Sequence, residues 1–318
     1  MLSRRVKIFV VYCIALLCLL WVVRDVRPGE LSRQLKGVMV PLLLPAVLLD
    51  IVTTVTHGVR WRLLLGPLGS VSLFRTVQTI YVSLFANELL PLRAGEAVRG
   101  YVMSKELRRS FFSVLPSMIV ERIADGLLLI IGAYLCTFFV SLPVEVVRGI
   151  WITGAVTGIV VAALVVLDLT SRKRSGNLQT TTNGLVRFLE RLRNKIADGM
   201  RIIRTRSRFT ALIALSALYL AFQIIAYWLV LRAYGLHLSI WIPAVMIVVV
   251  RLGTAVPSAP ANIGPFQFFS VLALTMFGID KTTATGVAFT LWLTFTIPIL
   301  VLGLIAFIRS GVNLSRIR

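Results

Sequence analysis

Runs of about twenty apolar residues, separated by short charged loops, dominate this chain. A helix needs about 20 such residues to cross the hydrocarbon core of a bilayer. Stretches of this kind lie at 6–23, 38–56, 112–140, 150–168, 209–233, 240–257 and 284–308. Two shorter ones, 72–90 and 264–278, each sit beside a polar motif that carries proline and glycine. Within hydrocarbon only helices and closed barrels satisfy their own backbone groups. The expectation is an all-α, polytopic transmembrane helix bundle of about eight membrane segments, one or two of them re-entrant or broken, in a single integral membrane domain over 1–318. A soluble alternative lacks a polar skin: 58% of the 318 residues are hydrophobic and 15% are charged, against about a quarter charged in soluble domains.

The charge pattern orients the bundle. Net charge is +21, and the Lys and Arg residues fall in blocks between apolar runs. Such blocks read as topology signals and contacts to anionic headgroups, not as a nucleic-acid surface. Residues 3–7 and the tail with Arg309, Arg316 and Arg318 place both termini inside. The mixed-sign segment 24–37 is read as an outer loop, and His57 to Arg62, with Arg60 and Arg62, as an inner one. Segment 98–110 carries Arg99, Lys105, Arg108 and Arg109 and is inner too, so 72–90 should enter and leave on one side. The loop 171–208 is strongly basic. Within it Leu185, Leu189, Leu192, Ile196, Met200 and Ile203 recur at helical spacing, predicting an amphipathic helix at about 185–204. Such a helix lies on anionic inner-leaflet lipid or packs on the protein's own cytoplasmic ends. The N-terminal run has no small-residue cleavage site behind it and reads as a retained first helix. The pattern predicts a multi-pass protein of a bacterial inner (cytoplasmic) membrane.

Several chemistries are not expected. Cys13, Cys18 and Cys136 lie inside apolar runs and read as small hydrophobes. His57 and His237 are far apart, without metal-ligand spacing. No G-x-x-x-x-G-K-[ST] loop is present, so ATP use is not expected. No metal and no cofactor are predicted.

Three constellations interrupt the apolar pattern. The first runs from Asn87 to Arg99 and contains Pro91, Arg93, Gly95 and Glu96. Irregular backbone at membrane depth must be covered by protein or line a polar cavity. Arg93, Glu96 and Arg99 are three apart and can share a helix face; two guanidinium forks around one carboxylate suit a phosphate, or form a structural salt-bridge knot. The second is Glu121, Arg122 and Asp125, in an otherwise apolar run. Intramembrane charges are functional by default; here they can hold Arg93 or Arg99, bind a cationic headgroup, carry protons or anchor helices. The third spans Pro257, Pro260, Asn262, Gly264 and Gln267, preceded by Arg251. A helix starting near Pro265 would point free N–H groups at an anion, or the segment is an ordinary loop. Paired breaks in the two halves of a chain point to a transporter-like site. Asp50 and Gln223 stand alone and read as interhelical hydrogen-bond partners.

The pattern Asn87…Pro91-x-Arg93-x-Gly95-Glu96-x-x-Arg99, then Glu121-Arg122-x-x-Asp125, then Pro257-x-x-Pro260-x-Asn262-Ile263-Gly264-x-Phe266, resembles the lysylphosphatidylglycerol synthase transmembrane-region family, also called flippase-like membrane proteins. The resemblance covers roughly 5–310. It implies a multi-helix domain that moves or handles an amphiphilic lipid, and it places those motif residues in the site. In the bifunctional members a separate soluble domain performs aminoacyl transfer, which this chain has no room for. Two positions depart from the pattern: Ala261-Asn262 stands where many members are glycine-rich, and Gln267 where many carry a glutamate.

The residues and the resemblance together predict a lipid flippase-like transporter, not an enzyme. Its substrate would be a phosphate-bearing phospholipid or a polyprenyl- or hopanoid-type lipid. The alternative is a membrane-embedded glycosyl- or phosphotransferase with Glu96, Glu121 or Asp125 as base. Expected partners are the lipid substrate, anionic inner-leaflet lipid at 171–208, and a second copy or a lipid-pathway enzyme.

Overall fold

A computed structural model describes residues 4–90, 94–142, 205–254 and 259–311, with scattered helical positions between 144 and 162. Every regular element among the described residues is a helix. In order these are α1 (Arg4–Val23), α2 (Pro28–Lys36), α3 (Leu43–Leu65), α4 (Leu73–Leu89), α5 (Gly95–Glu106), α6 (Phe111–Cys136), α7 (Arg206–Ala233), α8 (Trp241–Gly253), α9 (Pro265–Thr275) and α10 (Lys281–Ser310). The all-α expectation is met.

Among the described residues, Val40–Leu68, Arg206–Ala233 and Lys281–Ser310 are long and apolar enough to cross a membrane. Phe9–Val23 and Pro28–Lys36 qualify together as a pair bent by 85°. The 26-residue α6 is comparably long but carries three charges at its centre. The remaining expected segments are short helices, or fall at 150–168, mostly outside the described residues. The basic loop to residue 204, with its expected amphipathic helix, lies outside them entirely.

Two expectations change. Segment 24–37 is not a loop: Pro28 stands at the first helical turn, where its missing N–H is harmless, and opens α2. That helix crosses the end of α10, where Gln34 Nε2 donates to Thr283 Oγ1 at 2.7 Å. The second apolar segment also shifts. Pro41 sits in a short 3-10 turn, Val40–Leu42, and α3 then runs on to Leu65. His57 and Arg60 are therefore helical and inside the bundle, not in an inner loop. Helix α3 continues through them because their polar groups find partners there.

The two largest apolar clusters among the described residues join the helices in turn. Trp61, Leu64, Ile80, Met103 and Val114 knit α3 to α6. Val230, Met246, Leu274 and Leu291 knit α7 to α10. Large aliphatic side chains face outward, including Leu17 (65% exposed), Leu44 (64%) and Ile308 (71%). In water each 100 Å² of such surface costs about 2.5 kcal/mol; lipid removes that penalty.

The short helices pair off. α4 packs beside α5, and α8 beside α9, so each polar break connects two helices that lie together. The turn Pro260–Asn262 rests on α4, bringing the second break to the first. Within this turn Ala261 (φ 56°) and Asn262 (φ 51°) are both left-handed. These are the positions where the family resemblance led one to expect glycine. Asn tolerates this conformation, whereas Ala is strained by about 1–2 kcal/mol. Gly264 (φ 92°) follows, and a Cβ there would lie 2.3 Å from the Ala15 carbonyl oxygen of α1.

Helix α10 starts on Asp280, whose Oδ1 accepts the N–H groups of Thr282 and Thr283, each at 3.0 Å. Burial opposes ionisation of Asp280, but these bonds, the Thr283 hydroxyl and nearby Arg27 hold its carboxyl below the ordinary value.

Ala261→Gly should raise stability by about 1 kcal/mol by relieving left-handed strain, while Gly264→Ala should lower it by more than that. Thermal unfolding in one detergent checks both; equal effects of the two substitutions would contradict the described break.

Candidate functional site

The site is built on a polar stripe of α3. Asp50, Thr54, His57 and Arg60 recur at steps of three and four, which places them on one helix face. Opposite them stands Glu121 on α6, 1% exposed. An unpaired carboxylate there would be strongly destabilising, and three cationic or imidazole groups converge on it. Arg60 donates to Glu121 Oε1 from Nε at 3.2 Å and from Nη2 at 2.9 Å. Arg99 Nη2, on α5, donates to Oε2. His57 Nε2 lies 2.7 Å from Oε1 and 3.2 Å from Arg99 Nη1.

Arg60 is fully buried and its other donors are used. Nη1 reaches Asp125 Oδ1 and, at 3.1 Å, Ser216 Oγ on α7; Nη2 reaches Asp125 Oδ2 at 3.2 Å. Arg99 also stacks 4.0 Å over the Trp61 ring, a cation–π contact strengthened by exclusion of water. Trp61 Nε1 donates to Ser117 Oγ at 3.0 Å. At the edge Arg122 donates to Glu96 and lies 3.9 Å from Asp125. Arg60, Arg99 and Arg122 thus balance Glu96, Glu121 and Asp125 in formal charge. The network ties α3, α5, α6 and α7 together.

The first break is fixed by short polar contacts. Asn87 Oδ1 accepts the Gly95 N–H, and Ser83 Oγ donates to the Gly95 carbonyl, both at 2.8 Å. A Cβ on residue 95 would meet the Ser83 carbonyl oxygen at 2.0 Å, so glycine is required by close approach. Asn87 and Gly95 therefore shape the turn.

A cavity of about 510 Å³ lies beside the network, within the size range of small-ligand sites. Its polar wall includes Asp50, Glu88, Arg122, Asp125, Arg251 and Asn262; Tyr219, Tyr227, Phe266, Trp292 and Phe295 supply aromatic surface. Arg251 Nη2 donates to Gln223 Oε1 and lies 3.5 Å from the Tyr219 hydroxyl. The Tyr219 ring stands between two guanidiniums, 5.1 Å from Arg60 and 5.6 Å from Arg251. Trp292 Nε1 donates to the Ala261 carbonyl at 2.9 Å, holding the second break against α10.

Of the residues singled out in the sequence, Arg122, Asp125, Arg251 and Asn262 line this cavity together. Arg99 and Glu121 do not: both are 1% exposed and turned onto each other. Glu96 lies at the network's edge, 3.9 Å from Arg99. Pro260 opens the turn. Gly264 and Gln267 do not line the cavity. Gln267 is fully buried, and its Oε1 accepts the Gly264 N–H at 2.8 Å, so the start of α9 is capped by its own side chain. Pro91, Arg93 and Pro257 lie outside the described residues. Arg60, His57 and Glu88 were missed as site residues. Their signal was available: the polar stripe on α3, and a second stripe of Ser216, Tyr219, Gln223 and Tyr227 on α7. Asp50, read as an interhelical hydrogen-bond partner, faces the cavity instead.

Fold and site define a multi-pass helical membrane protein with a polar cavity between two broken helix pairs. The chain matches the family described as the lysylphosphatidylglycerol synthase TM region over residues 6–303 and belongs to it. A UPF0104 membrane protein of Methanothermobacter thermautotrophicus is 24% identical over 285 residues, 82% of this chain and 83% of that one. A second UPF0104 membrane protein, from Methanocaldococcus jannaschii, is 23% identical over 229 residues, 70% of this chain and 93% of that one. Glycosyltransferase AglD of Haloferax volcanii is 30% identical over 125 residues, 39% of this chain and 20% of that protein. No solved structure matches.

Glu121→Gln leaves Arg99 and Arg60 short of a counter-charge and should cost about 3–5 kcal/mol. Arg122→Gln removes a half-exposed ion pair, worth about 1 kcal/mol or less. Denaturant titration in mixed micelles measures both, and similar losses would contradict the central role of Glu121.

Proposed function

We propose that this protein is a flippase-like lipid transporter. It binds an amphiphile with a phosphate-bearing headgroup, of phospholipid, polyprenyl or hopanoid type, and moves it across the membrane. The observation that carries this reading is the cavity where the Glu121–Asp125 motif and the second break converge. Arg251 and Arg122 both face it. Among the described residues Arg251 is held by neutral groups, Gln223 and Tyr219, and so keeps charge to offer an anion. Guanidinium forks match phosphate oxygens. The headgroup would occupy the cavity while the chains stay among the outward-facing aliphatic residues.

This reading moves the phosphate contact from Arg93 and Arg99 to Arg251, with Arg122 beside it in its pair with Glu96, and gives Arg99 and Glu121 a structural task. Family membership supports lipid handling. The membrane proposed is the cytoplasmic one of a bacterium, with both termini cytoplasmic; the relatives named above are archaeal. The 171–208 segment would contact anionic lipid, and a second copy or a lipid-pathway enzyme would be the protein partner. A second reading, a glycosyl- or phosphotransferase acting on a lipid-linked substrate, draws support from the partial similarity to AglD.

Leaflet exchange in liposomes, with fluorescent phosphate-bearing lipids, separates the two. Arg251→Gln should slow exchange about tenfold or more, the effect of losing one charge-assisted hydrogen bond, with unfolding unchanged. Exchange at the unchanged rate, or turnover of a sugar or phosphate donor without exchange, would overturn the transporter reading.

A further inference from the structure

The charged side chains inside the bundle divide into two sets. Glu96, Glu121 and Asp125 each hold a guanidinium, as set out above. Asp50 and Glu88 hold none. The Asp50 carboxylate makes no hydrogen bond and no ion pair among the described residues. Glu88 Oε2 is sealed from solvent without a hydrogen-bond partner there. Both side chains line the same cavity as Arg251, whose guanidinium rests on neutral groups. Among the described residues the bundle thus pairs three carboxylates with guanidiniums and leaves two facing the cavity.

The surroundings sharpen this. Around Asp50, α3 contributes Thr54, α4 Tyr81 and Glu88, α6 Arg122 and Asp125, α7 Tyr219, Gln223 and Tyr227, α8 Arg251, and α10 Thr296. Arg122 is taken by Glu96, and Asp125 by Arg60. Arg251 remains, held across the cavity by Gln223. An uncompensated carboxylate in a water-poor interior is strongly destabilised. It must gain a positive charge, and the smallest available is a proton.

We propose that Asp50, with Glu88 as its companion, is a proton-binding site coupled to occupancy of the cavity. The inference rests on the proposal that the cavity takes an anionic headgroup. With both carboxyls protonated, Arg251 makes the cavity a cationic pocket that accepts a phosphate. With both ionised, the cavity is net acidic and repels it. Headgroup binding therefore takes up a proton, and by linkage the proton and the anion strengthen each other's binding equally. A transporter built this way draws on a proton gradient through Asp50.

Two measurements on the full chain test this. In the first, a short-chain phosphatidylglycerol is titrated into the detergent-solubilised protein by calorimetry, in buffers of different ionisation enthalpy. Each proton taken up per lipid means that affinity falls about tenfold per unit rise in pH above the ionisation of the site. Asp50→Asn with Glu88→Gln should bind with the pH slope and the proton uptake abolished. Binding without proton uptake in the wild type, or uptake unchanged in the double variant, would overturn the proton site and leave the lipid reading standing. Absence of binding at every pH would count against the lipid reading. In the second measurement, infrared difference spectra of wild type against the double variant Asp50→Asn, Glu88→Gln test the site without any lipid. A protonated-carboxyl band present only in the wild type is expected, and identical spectra would refute the proposal.

Discussion

Glu121 accepts hydrogen bonds from two arginines and stands within reach of a histidine, at the centre of a bundle whose exterior is apolar. Glu121 is 1% exposed, so solvent does not reach it to replace a missing partner. This one carboxylate, on α6, therefore fixes the placement of α3 and α5, whose Arg60 and Arg99 meet on it, and Ser216 ties α7 to the same Arg60. A buried ion pair contributes little net stability when complete, yet is costly to break. Its effect here is to select one arrangement of helices from the many that apolar packing alone would permit. This fold depends on side chains that a hydropathy profile scores as liabilities.

The cavity follows from that arrangement. With the charges of α5 and α6 neutralised against α3, the far edge of the motif, Arg122 and Asp125, turns toward the second half of the chain. There the Pro260–Asn262 turn leans on α4 and presents Asn262, while Arg251 reaches in from the end of α8. With the Pro260–Asn262 turn resting on α4, a polar cavity opens between the two halves. The left-handed pair Ala261 and Asn262 and the tight approach of Gly264 to α1 are the local strain that this closure requires.

Much of this was legible in the chain. Span-length apolar runs, the two proline-bearing breaks and the Glu121–Asp125 group gave the fold class and four residues of the cavity wall. Arg60 was misjudged because an arginine after an apolar run ordinarily marks a helix end, and only the opposing carboxylates reveal that this helix continues. Arg99 and Gln267 were expected to face a ligand. Their chemistry suits one, but burial and capping geometry, which no spacing rule encodes, turned both inward. Glu88 and Asp50 were not read as a pair because they lie on different helices, Asp50 standing alone in an apolar run and Glu88 inside the Asn87–Arg99 motif.

The sequence by itself determined that this protein is an all-α membrane bundle with polar breaks in each half. Hydrophobic run length and the backbone's need for internal hydrogen bonds leave no other outcome. Tertiary structure alone decided which charges neutralise one another and which face the cavity. Pairing depends on distances of a few ångströms between residues tens to hundreds of positions apart, and no local pattern carries that information.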